Sequence, residues 1–433
     1  MTSQTTNFPG LHPLRDFSPR VLQSVSDIVD RAEYNHLRGL RVGFVVLSPF
    51  PLDPRPLRAS TALAQQGMHV DFVCVTDGEP AWGEKIDGIN VIRVPITRHR
   101  GGGLMYAYEY AAFTLAATLI FAIRSLRWKY DLIYVNNMPD ILVVSALLPK
   151  LLGSKVILDL HDPMPELIST IFDKAETSLS FRVVKWFEKW SIARANEIIS
   201  PNIACQRVFC SRSCPAEKST VVMNTPDDVI FPFRPVSACP IQSHDPKRPF
   251  IVMYHGSLLE RNGANLAVEA FALIRDKVPN AELHIYGKRT PFLEKVQQSV
   301  RELGLEDRVR YLGQQTQDKI AEAILTCDIG VVPNQRNAFA EINTPTRIFE
   351  YLSLGKPVIA PRTPGIQDYF SEDSLFFFEI GNAEELAKKI EYVASHPIET
   401  RRITERGQHV YTEHMWKHER ATLVDLVSKL LRP

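Results

Sequence analysis

Short apolar runs recur along the chain and alternate with segments whose apolar residues are spaced as in helices. In the first half, these runs predict strands over 41–48, 69–75, 90–94, 131–135 and 155–160. Helical spacing falls between them at 58–66 and 140–151, the first of these after a Pro-rich loop that begins at Ser48. Apolar strands that alternate with helices are typical of a parallel sheet covered on both faces.

A second series of the same kind begins at Phe250. It predicts strands over 250–256, 281–286, 308–312 and 328–332, with helices over 264–276 and 291–303. Residues 226–248, between the two series, are rich in proline and polar residues, which indicates a linker. We therefore expect an α/β chain with two doubly wound, Rossmann-like domains, over 39–225 and 249–410, that face each other across a cleft.

The two ends of the chain fall outside these domains. Residues 1–38 are interpreted as an N-terminal extension with a short helix around 20–34, and 411–433 as a C-terminal helix that packs back toward the N-terminal domain. The first residues lack the apolar core of a signal peptide. Six cysteines are too few for a disulfide framework, and the cluster at 205–214 lacks the histidines of a zinc site. We expect reduced thiols and a cytoplasmic protein.

The stretch 343–360 predicts a loop, a helix, a tight turn and a buried strand. Thr344 is a candidate N-cap and Pro345 suits the first helical position, while Gly355 ends the helix. A helix start of this kind directs free N–H groups and a positive dipole end at a phosphate. Glu350, two turns further on, offers a carboxylate that accepts hydrogen bonds from two ribose hydroxyls. Diphosphate and ribose together indicate a nucleotide, although Glu350 also fits a solvated helix position.

This stretch resembles the nucleotide-sugar signature of glycosyltransferase family 4, the group 1 glycosyltransferases of GT-B fold, of the bacterial polysaccharide and glycolipid type. Glu350, Gly355, Pro357 and Val358 match the motif. The resemblance runs from about Arg41 to the C-terminus, and it implies a retaining enzyme. The first Glu of the family's Glu-x7-Glu motif is replaced by Ile342. Either Glu341 contacts the donor sugar in its place, as a catalytic residue, or main-chain groups of 342–346 do so alone.

The resemblance also implies a set of donor-binding residues. Gly256 and Ser257 lie in the loop after the first strand of the second domain, where Arg261 is the cation nearest to the position of the family's Lys. A guanidinium there clamps the diphosphate, with help from Lys288. Arg347 competes for that role, or pairs with Glu350 three residues on. The remaining donor-binding residues open the predicted helix: Asn343, Thr344, Pro345 and Thr346.

Other polar residues follow strands of the first domain. His161 and Asp162 stand just after a buried strand, where they suit hydrogen bonds to sugar hydroxyls and catalytic charge stabilisation, although a structural histidine fits as well. Arg55 and Arg58 resemble the basic loop of a branch of the family that faces acceptor or phosphate. A charged first helical turn is the alternative. Asn137 is expected on the acceptor side. Asn224 resembles the family's Asn at the domain crossover, where we expect it to form a structural turn.

Composition restricts the partners. The 433 residues are 45% hydrophobic and 23% charged with a net charge of +1, so no global field attracts nucleic acid. No Gly-x-Gly-x-x-Gly loop supports a dinucleotide cofactor, and no Asp-x-Asp motif follows a strand end. We therefore expect neither cofactor nor metal ion, with a nucleoside-diphosphate sugar as donor substrate.

Residues 104–123 are apolar apart from Glu109 and are flanked by basic residues. Their length suits a membrane span, but strands of one predicted sheet lie on both sides of them in sequence. Two interpretations remain: a buried helix of the sheet, or a helix that lies on a membrane with its tyrosines at the interface. The basic flanks favour the second and a peripheral position on the membrane.

These features together predict a retaining glycosyltransferase that moves a sugar from a nucleoside diphosphate to a glycan or lipid-linked acceptor. Two other classes stay open. One is a sugar-nucleotide epimerase of the same fold, which converts free donor without acceptor. The other is a catalytically silent homologue that binds nucleotide sugar and serves as a scaffold, because the first Glu and the Lys before Gly263 are missing.

Overall fold

The computed structural model describes residues 32–76, 78, 83–96, 103–172, 177–238 and 248–432, which form two α/β domains. The strands of the first domain are β1 Arg41–Pro49, β2 His69–Val75, β3 Glu84–Ile86, β4 Ile89–Val94, β5 Leu132–Asn136, β6 Lys155–Asp159, β7 Glu197–Ser200 and β8 Ser219–Val221. Those of the second are β9 Phe250–His255, β10 Ala281–Tyr286, β11 Val309–Tyr311, β12 Ile329–Val331, β13 Val358–Pro361 and β14 Phe376–Phe378.

Helices cover both sheets. Those of the first domain are α1 Pro54–Gln65, α2 Gly103–Arg127, α3 Leu147–Leu151, α4 Met164–Phe172, α5 Leu179–Arg194 and α6 Ile203–Arg212, with a 3-10 helix at Asp140–Ala146. The later helices are α7 Ala264–Ile274, α8 Pro291–Glu302, α9 Gln317–Thr326, α10 Ala338–Ile342, α11 Thr346–Ser353, α12 Pro364–Gln367, α13 Ala383–Ser395, α14 Pro397–Glu413 and α15 Trp416–Leu431. The helix predicted around 20–34 lies mostly outside the described residues.

Both sheets have the strand order of doubly wound folds. The first runs β3-β4-β2-β1-β5-β6-β7-β8 and the second β11-β10-β9-β12-β13-β14. Their ladders are parallel, apart from the antiparallel pair of β3 and β4. The chain order reverses beside β1 in one sheet and beside β9 in the other, so the loops after these strands open crevices where ligands bind. The predicted α/β fold class is confirmed.

Helix α1 begins earlier than the sequence pattern indicates. The predicted Pro-rich loop up to Arg58 is wrong, because the helix starts at Pro54. The Asp53 side chain accepts a hydrogen bond from the backbone N–H of Arg55 at 3.3 Å, and proline is tolerated in the first turn. Arg55 and Arg58 therefore lie on a helix that covers the sheet and not on a free loop.

Helix α2 is neither a span nor a fully buried helix. Ala107–Arg127 is long and apolar enough to cross a membrane by length and composition alone. It connects β4 and β5 of one sheet, and it buries Phe113, Ala117 and Phe121 against the face that also carries the 3-10 helix. Its opposite side, with Tyr108 69% and Leu119 53% exposed, is uncovered. One side of the helix thus packs in the core, and the opposite side is exposed.

The polypeptide crosses between the domains twice. The first crossing follows β8, and the second lies between α14 and α15. Helix α15 returns to the first domain, where Leu423, Val424 and Val427 join the core formed by α1 and the sheet. The two crossings touch, because the backbone N–H of Met223 donates to Oε2 of Glu419 at 2.7 Å.

Candidate active site

The carboxyl ends of the two sheets face each other across a narrow cleft whose walls are already in contact. Nδ2 of Asn202, after β7, donates to the carbonyl of Ile342 at 3.0 Å. The backbone N–H of Ile203 donates to the Tyr369 hydroxyl at 2.9 Å. The cleft is therefore bounded by loops of both domains, which is the position where open α/β sheets bind ligands.

His161 lies at this edge, directly after β6. Its ring Nε2 is 3.1 Å from Oδ1 of Asn136 and 3.8 Å from Oδ2 of Asp159. Its backbone N–H donates to Oδ1 of Asn137 at 2.7 Å. The described contacts of the imidazole thus involve Nε2, which orients the ring and leaves Nδ1 to interact with a ligand in the cleft.

Asn137 occupies a structural position, so its predicted place on the acceptor side is wrong. Its amide nitrogen donates to Oδ1 of Asp140 at 3.0 Å and to the carbonyl of Asp162 at 2.9 Å. The side chain is buried, and it fixes the backbone of His161 and Asp162. Asn137 therefore positions the two residues that reach the cleft.

Arg55 is likewise not at the cleft surface. Its Nη2 forms a buried ion pair with Oδ1 of Asp159 at 2.7 Å, and its Nη1 donates to the carbonyl of Val222 at 2.9 Å. The Tyr134 hydroxyl completes the cluster with a 2.9 Å bond to the same carboxylate. The predicted acceptor-side role of Arg55 is wrong, because its guanidinium is fully engaged inside the first domain.

Arg58 points to the domain crossover. Its Nη2 donates to Oδ1 of Asn224 at 2.6 Å, and its guanidinium lies 5.3 Å from the ring centre of Trp416. Asn224 in turn donates to Oγ1 of Thr346 at 3.1 Å, and that hydroxyl donates back to the Asn224 carbonyl at 2.9 Å. Arg58 therefore supports the start of α11 from the other domain, in agreement with the alternative of a charged helical turn, and its acceptor-side role stays a prediction.

The start of α11 differs from the predicted cap. Pro345, and not Thr344, is the N-cap, and no side chain caps the helix. The Thr344 hydroxyl instead donates to the carbonyl of Gly365 at 2.7 Å, which anchors the loop to α12. Without a side-chain cap, the first N–H groups of α11 remain available to a ligand, since helix starts lack intrahelical acceptors.

Arg347 is held by the protein and does not pair with Glu350. Its Nη1 donates to the carbonyl of His255 at 2.9 Å, and its Nη2 donates to Oδ1 of Asn334 at 2.7 Å. A Cβ at Gly256 would lie 2.8 Å from Arg347 Nη1, so the guanidinium lies directly beneath this glycine. Arg347 braces the loop after β9 from within the second domain.

The Glu350 carboxylate lies in the same pocket of polar atoms. Its Oε2 is 3.3 Å from Nε2 of His255, a buried atom without a hydrogen-bond partner within the described residues. Burial raises the pKa of Glu350 to about 7, although Arg347 and Arg58 oppose that rise. Burial and the charge of Arg347 lower the pKa of His255 to about 3. The contact is therefore not an ion pair, because His255 is neutral at physiological pH.

Arg261 is a cation of the second domain that faces the first. The side chain is half-buried, and across the part of the chain that the structure describes no hydrogen bond or ion pair holds its guanidinium. Burial lowers the pKa of Arg261, while Asp162 and Tyr254 act in the opposite direction. Burial also raises the pKa of Asp162, and His161 and Arg261 oppose that rise. The two side chains thus influence each other across the cleft. Lys288, after β10, is exposed.

Glycines bring the donor-side loops together. A Cβ at Gly263, whose φ is +70°, would lie 1.7 Å from the carbonyl oxygen of Pro333, and one at Gly287 would lie 2.2 Å from that of Gly256. Ser257 is exposed, and its carbonyl accepts from Nδ2 of Asn262 at 2.8 Å. The loop that carries Arg261 is therefore built by close backbone contacts, and the Asn262 side chain bonds within it.

Glu341 lies on the short helix α10 and is ion-paired with Arg336, whose Nη1 is 2.8 Å from Oε1. The same Arg336 also pairs with Glu379. Asn343 follows as the C-cap of α10, with its backbone N–H bonded to the carbonyl of Phe339 at 3.0 Å. The geometry keeps both residues near the start of α11, and the choice between the Glu341 side chain and the main chain stays a prediction.

The sequence reasoning missed His255 and Asn334 as members of the site. His255 ends β9 immediately before Gly256, and this position at a strand's carboxyl end was the available signal. Asn334 carries no such signal, because its contact with Arg347 of α11 depends on how the intervening chain folds back. Among the residues that the structure describes, no group of three or more His, Cys, Asp or Glu side chains is arranged to hold a metal ion.

Family models match both domains. Residues 54–225 match the glycosyl transferase 4-like domain, and residues 240–410 match the glycosyl transferases group 1 domain. Each match covers one of the two domains, and together they support a group 1 glycosyltransferase.

Individual relatives agree with this assignment. The sulfoquinovosyl transferase SQD2 of Arabidopsis thaliana is 22% identical over 71% of the chain, which spans 58% of that relative's length. Among solved structures, sucrose-phosphate synthase from Thermosynechococcus elongatus superposes with a TM-score of 0.73 at 18% identity, over 90% of this chain and 99% of that one. Anabaena HepE in complex with UDP gives 0.66 at 18% identity, over 90% and 100%. At these identities, the structural matches establish the GT-B fold.

Proposed function

We propose that the chain is a retaining, metal-independent glycosyltransferase. It moves a sugar from a nucleoside diphosphate to a glycan or lipid-linked acceptor in polysaccharide or glycolipid assembly. The observation that carries this proposal is the Glu350 carboxylate, which lies in α11 with its side chain only 13% exposed and has no hydrogen-bond donor within the described residues. A buried acceptor of this kind is costly unless a ligand satisfies it.

A ribose meets that requirement. Its two hydroxyls donate to the two oxygens of Glu350, and this bidentate interaction favours the ionised carboxylate. His255 Nε2, buried and without a partner in the described residues, offers a further polar atom to the same ligand. HepE, which shares the fold, has been solved with UDP and with UDP-glucose, and this supports a nucleotide sugar as the donor of this chain.

The diphosphate then lies between the start of α11 and the loop after β9. The first N–H groups of α11 and the guanidinium of Arg261 stabilise the negative charge that grows on the diphosphate when its bond to the anomeric carbon breaks. Lys288 adds positive charge at the edge. Positive charge from these groups takes the place that a metal ion has in other transferases, and no cofactor is needed.

The sugar lies toward the first domain. His161 is oriented by Asn136 and presents Nδ1 to a sugar hydroxyl, and Asp162 faces the same space beside Arg261. Glu341, or the main chain at Asn343, contacts the sugar from the second domain. The acceptor hydroxyl enters on the open side. Its oxygen bonds to the anomeric carbon as the bond to the diphosphate oxygen breaks, and its proton passes to the departing diphosphate.

A lipid-linked acceptor brings the protein to a membrane. We assign the contact to the exposed stripe of α2, where Tyr108 and Leu119 lie on the side opposite to the core. An amphipathic helix of this kind lies in the interface and does not cross the bilayer. The protein then acts as a cytoplasmic, peripheral enzyme.

Thermal unfolding with candidate donors tests the donor site. Purified protein is heated with UDP-, GDP-, ADP- and dTDP-sugars without added metal, since a ligand specific for the folded state raises Tm. We expect one nucleotide class to raise Tm in the wild type and in Glu405→Ala, an exposed control on α14, and to have no effect in Glu350→Ala. An equal shift in Glu350→Ala would contradict the placement of the ribose.

Product analysis separates the proposal from its rivals. A transferase forms a glycoside only when acceptor is present, whereas an epimerase changes free donor alone. Donor binding without turnover across varied acceptors would identify the silent homologue. The pairing of Glu341 with Arg336 keeps that rival relevant, because the carboxylate must leave a salt bridge to contact a sugar.

A further inference from the structure

Helix α5 presents an apolar, aromatic surface to solvent. It buries Phe181 and Ile192 on one side. On the other, Trp186 is 58% exposed, and its ring centre lies 5.0 Å from that of Phe187 in an edge-to-face contact. Exposed aromatic clusters on a helix are uncommon on proteins that stay in water and mark interaction sites.

The exposed charges of this helix have one sign. Its acidic residue, Glu188, is buried and paired with Arg212 Nη2 at 2.6 Å, so it contributes nothing to the outer side. Arg182, Lys185 and Lys189 are exposed there. The outer side of α5 therefore combines aromatic rings with basic side chains.

Two neighbouring helices expose apolar residues in the same direction. Both α2 and α5 pack against the 3-10 helix at Asp140–Ala146, on one face of the first sheet, so their opposite sides point away from that sheet together. Helix α3, between them in sequence, adds exposed leucines. The apolar members of this three-helix face are Tyr108, Leu115, Leu119, Ile123, Leu126, Leu148, Leu151, Leu152, Leu179, Val183, Trp186 and Phe187.

We infer that the three-helix face docks on a bilayer containing anionic lipids, with α5 lying in the interface and its basic residues at the lipid phosphates. Trp and Phe prefer the interfacial region, and Lys and Arg beside them are attracted to anionic headgroups. Lysine is depleted in protein–protein interfaces, so this composition fits lipid better than a protein partner. The inference deepens the membrane contact proposed for α2 by adding a second helix and a lipid charge, and it requires no transferase activity.

The face borders the cleft. Helix α4 begins two residues after Asp162 and packs against α5. Its Thr170 hydroxyl lies 3.4 Å from Oδ1 of Asn337 in the second domain. A bilayer under the three-helix face is therefore next to the side of the first domain that carries His161. On the proposed function, an acceptor anchored in that bilayer reaches the site without leaving it.

Vesicle sedimentation of the full chain tests the inference. Phosphatidylcholine vesicles are compared with vesicles in which about a third of the lipid is phosphatidylglycerol. Lys185→Gln/Lys189→Gln is expected to weaken binding to anionic vesicles by about tenfold or more. Trp186→Ser is expected to weaken it by about fivefold, because apolar area leaves the interface. The controls Lys388→Gln and Ile398→Ser, exposed in the second domain, should bind as the wild type does.

Several outcomes would overturn the inference: no binding to anionic vesicles, equal binding to neutral ones, or unchanged binding by the α5 variants. Sedimentation velocity without lipid tests the alternative that a second copy of the chain binds this face. A dimer that Trp186→Ser converts to monomer would support that alternative and overturn the inference. Circular dichroism confirms that each variant is folded. The Tm shift with donor is measured on the same samples, so wild-type protein that binds vesicles but no nucleotide sugar would refute the proposed function and leave the docking intact.

Discussion

The Glu350 carboxylate lies 3.3 Å from Nε2 of His255, and the pair carries no compensating charge, because burial keeps the imidazole neutral. The folded protein therefore holds an acid whose pKa is raised to about 7 from the ordinary value of 4.5. Between these values the folded state binds more protons than the unfolded state, so this group's contribution to stability falls as the pH rises through that window.

Replacing the carboxylate should make the protein more stable. Glu350→Gln is expected to raise the free energy of unfolding by about 2–3 kcal/mol at pH 8 and by little at pH 5, because the amide cannot ionise. Urea denaturation at both pH values measures the difference, with Glu405→Gln as the exposed control. A stability gain that is the same at both values would show that ionisation is not its cause.

Donor affinity should depend on the same titration. If Glu350 binds the ribose as proposed, the hydroxyls favour its ionised carboxylate, so nucleotide-sugar binding competes with protonation of Glu350. Lowering the pH from 8 to 5.5 is expected to weaken affinity by about thirtyfold in the wild type. Isothermal titration calorimetry with the donor found by the Tm screen measures this, and Glu350→Gln should bind weakly with no slope. A flat wild-type profile would exclude Glu350 from the ribose site.

Arg261 should contribute more to catalysis than an exposed cation of the same domain. On the proposed function, Arg261→Ala removes charge-assisted hydrogen bonds to the diphosphate and is expected to lower kcat/KM for donor by about 10–100-fold. Arg289→Ala, which removes a cation paired with Glu294 at the start of α8, is the matched control. Comparable losses in the two variants would mean that general surface charge, and not Arg261, draws in the donor.

The buried pair of Arg55 and Asp159 should control stability and not acceptor affinity. Arg55→Met leaves the Asp159 carboxylate buried beside the Tyr134 hydroxyl without its cation, and we expect a loss of about 3–5 kcal/mol. Thermal or urea unfolding measures the loss. A stable Arg55→Met protein with a selectively raised KM for acceptor would restore the acceptor-side role.

Two glycines with positive φ separate steric crowding from backbone strain. Gly304 has φ +63° and nothing within 4 Å of an added Cβ, so Gly304→Ala should cost about 1 kcal/mol from backbone conformation alone. Gly263→Ala pays the same conformational cost and also drives a methyl into the Pro333 carbonyl. It should lose markedly more stability, as well as donor binding, since Arg261 lies in the displaced loop. Equal losses would mean that the loops separate freely.

The sequence predicted most strands of both sheets, because buried parallel strands are short apolar runs between turn residues, but β3, β7, β8 and β14 were not predicted. The runs at β1 and β9 illustrate this. It failed where tertiary contacts decide the outcome. Pro54 and Pro56 suggested a loop, although Asp53 starts a helix there. Helix α5 gave no signal, because its apolar residues are divided between the core and the outside.

Site residues could be predicted from the sequence where they follow a strand, because the ends of strands are themselves predictable. His161, Gly256 and Arg261 follow strands, and the structure brings their loops to one cleft. The sequence did not show which partners each of these side chains contacts. Arg55 pairs with a carboxylate far away in sequence, and Arg347 bonds the His255 carbonyl where helical spacing suggested Glu350. Packing in the folded protein decides which cations pair with other groups of the protein and which face a ligand.

The two interdomain crossings, joined by the hydrogen bond from Met223 to Glu419, have a mechanical consequence. Two chain connections that meet at one side of a cleft let the domains rotate about the axis through both connections. They resist twisting and translation of one domain relative to the other. Opening of the cleft about the two crossings would break the contacts of Asn202 and Ile203 with the second domain, together with the Arg207–Asp368 ion pair. The return of the chain through α15 thus favours a hinge motion of the two domains over a sliding one.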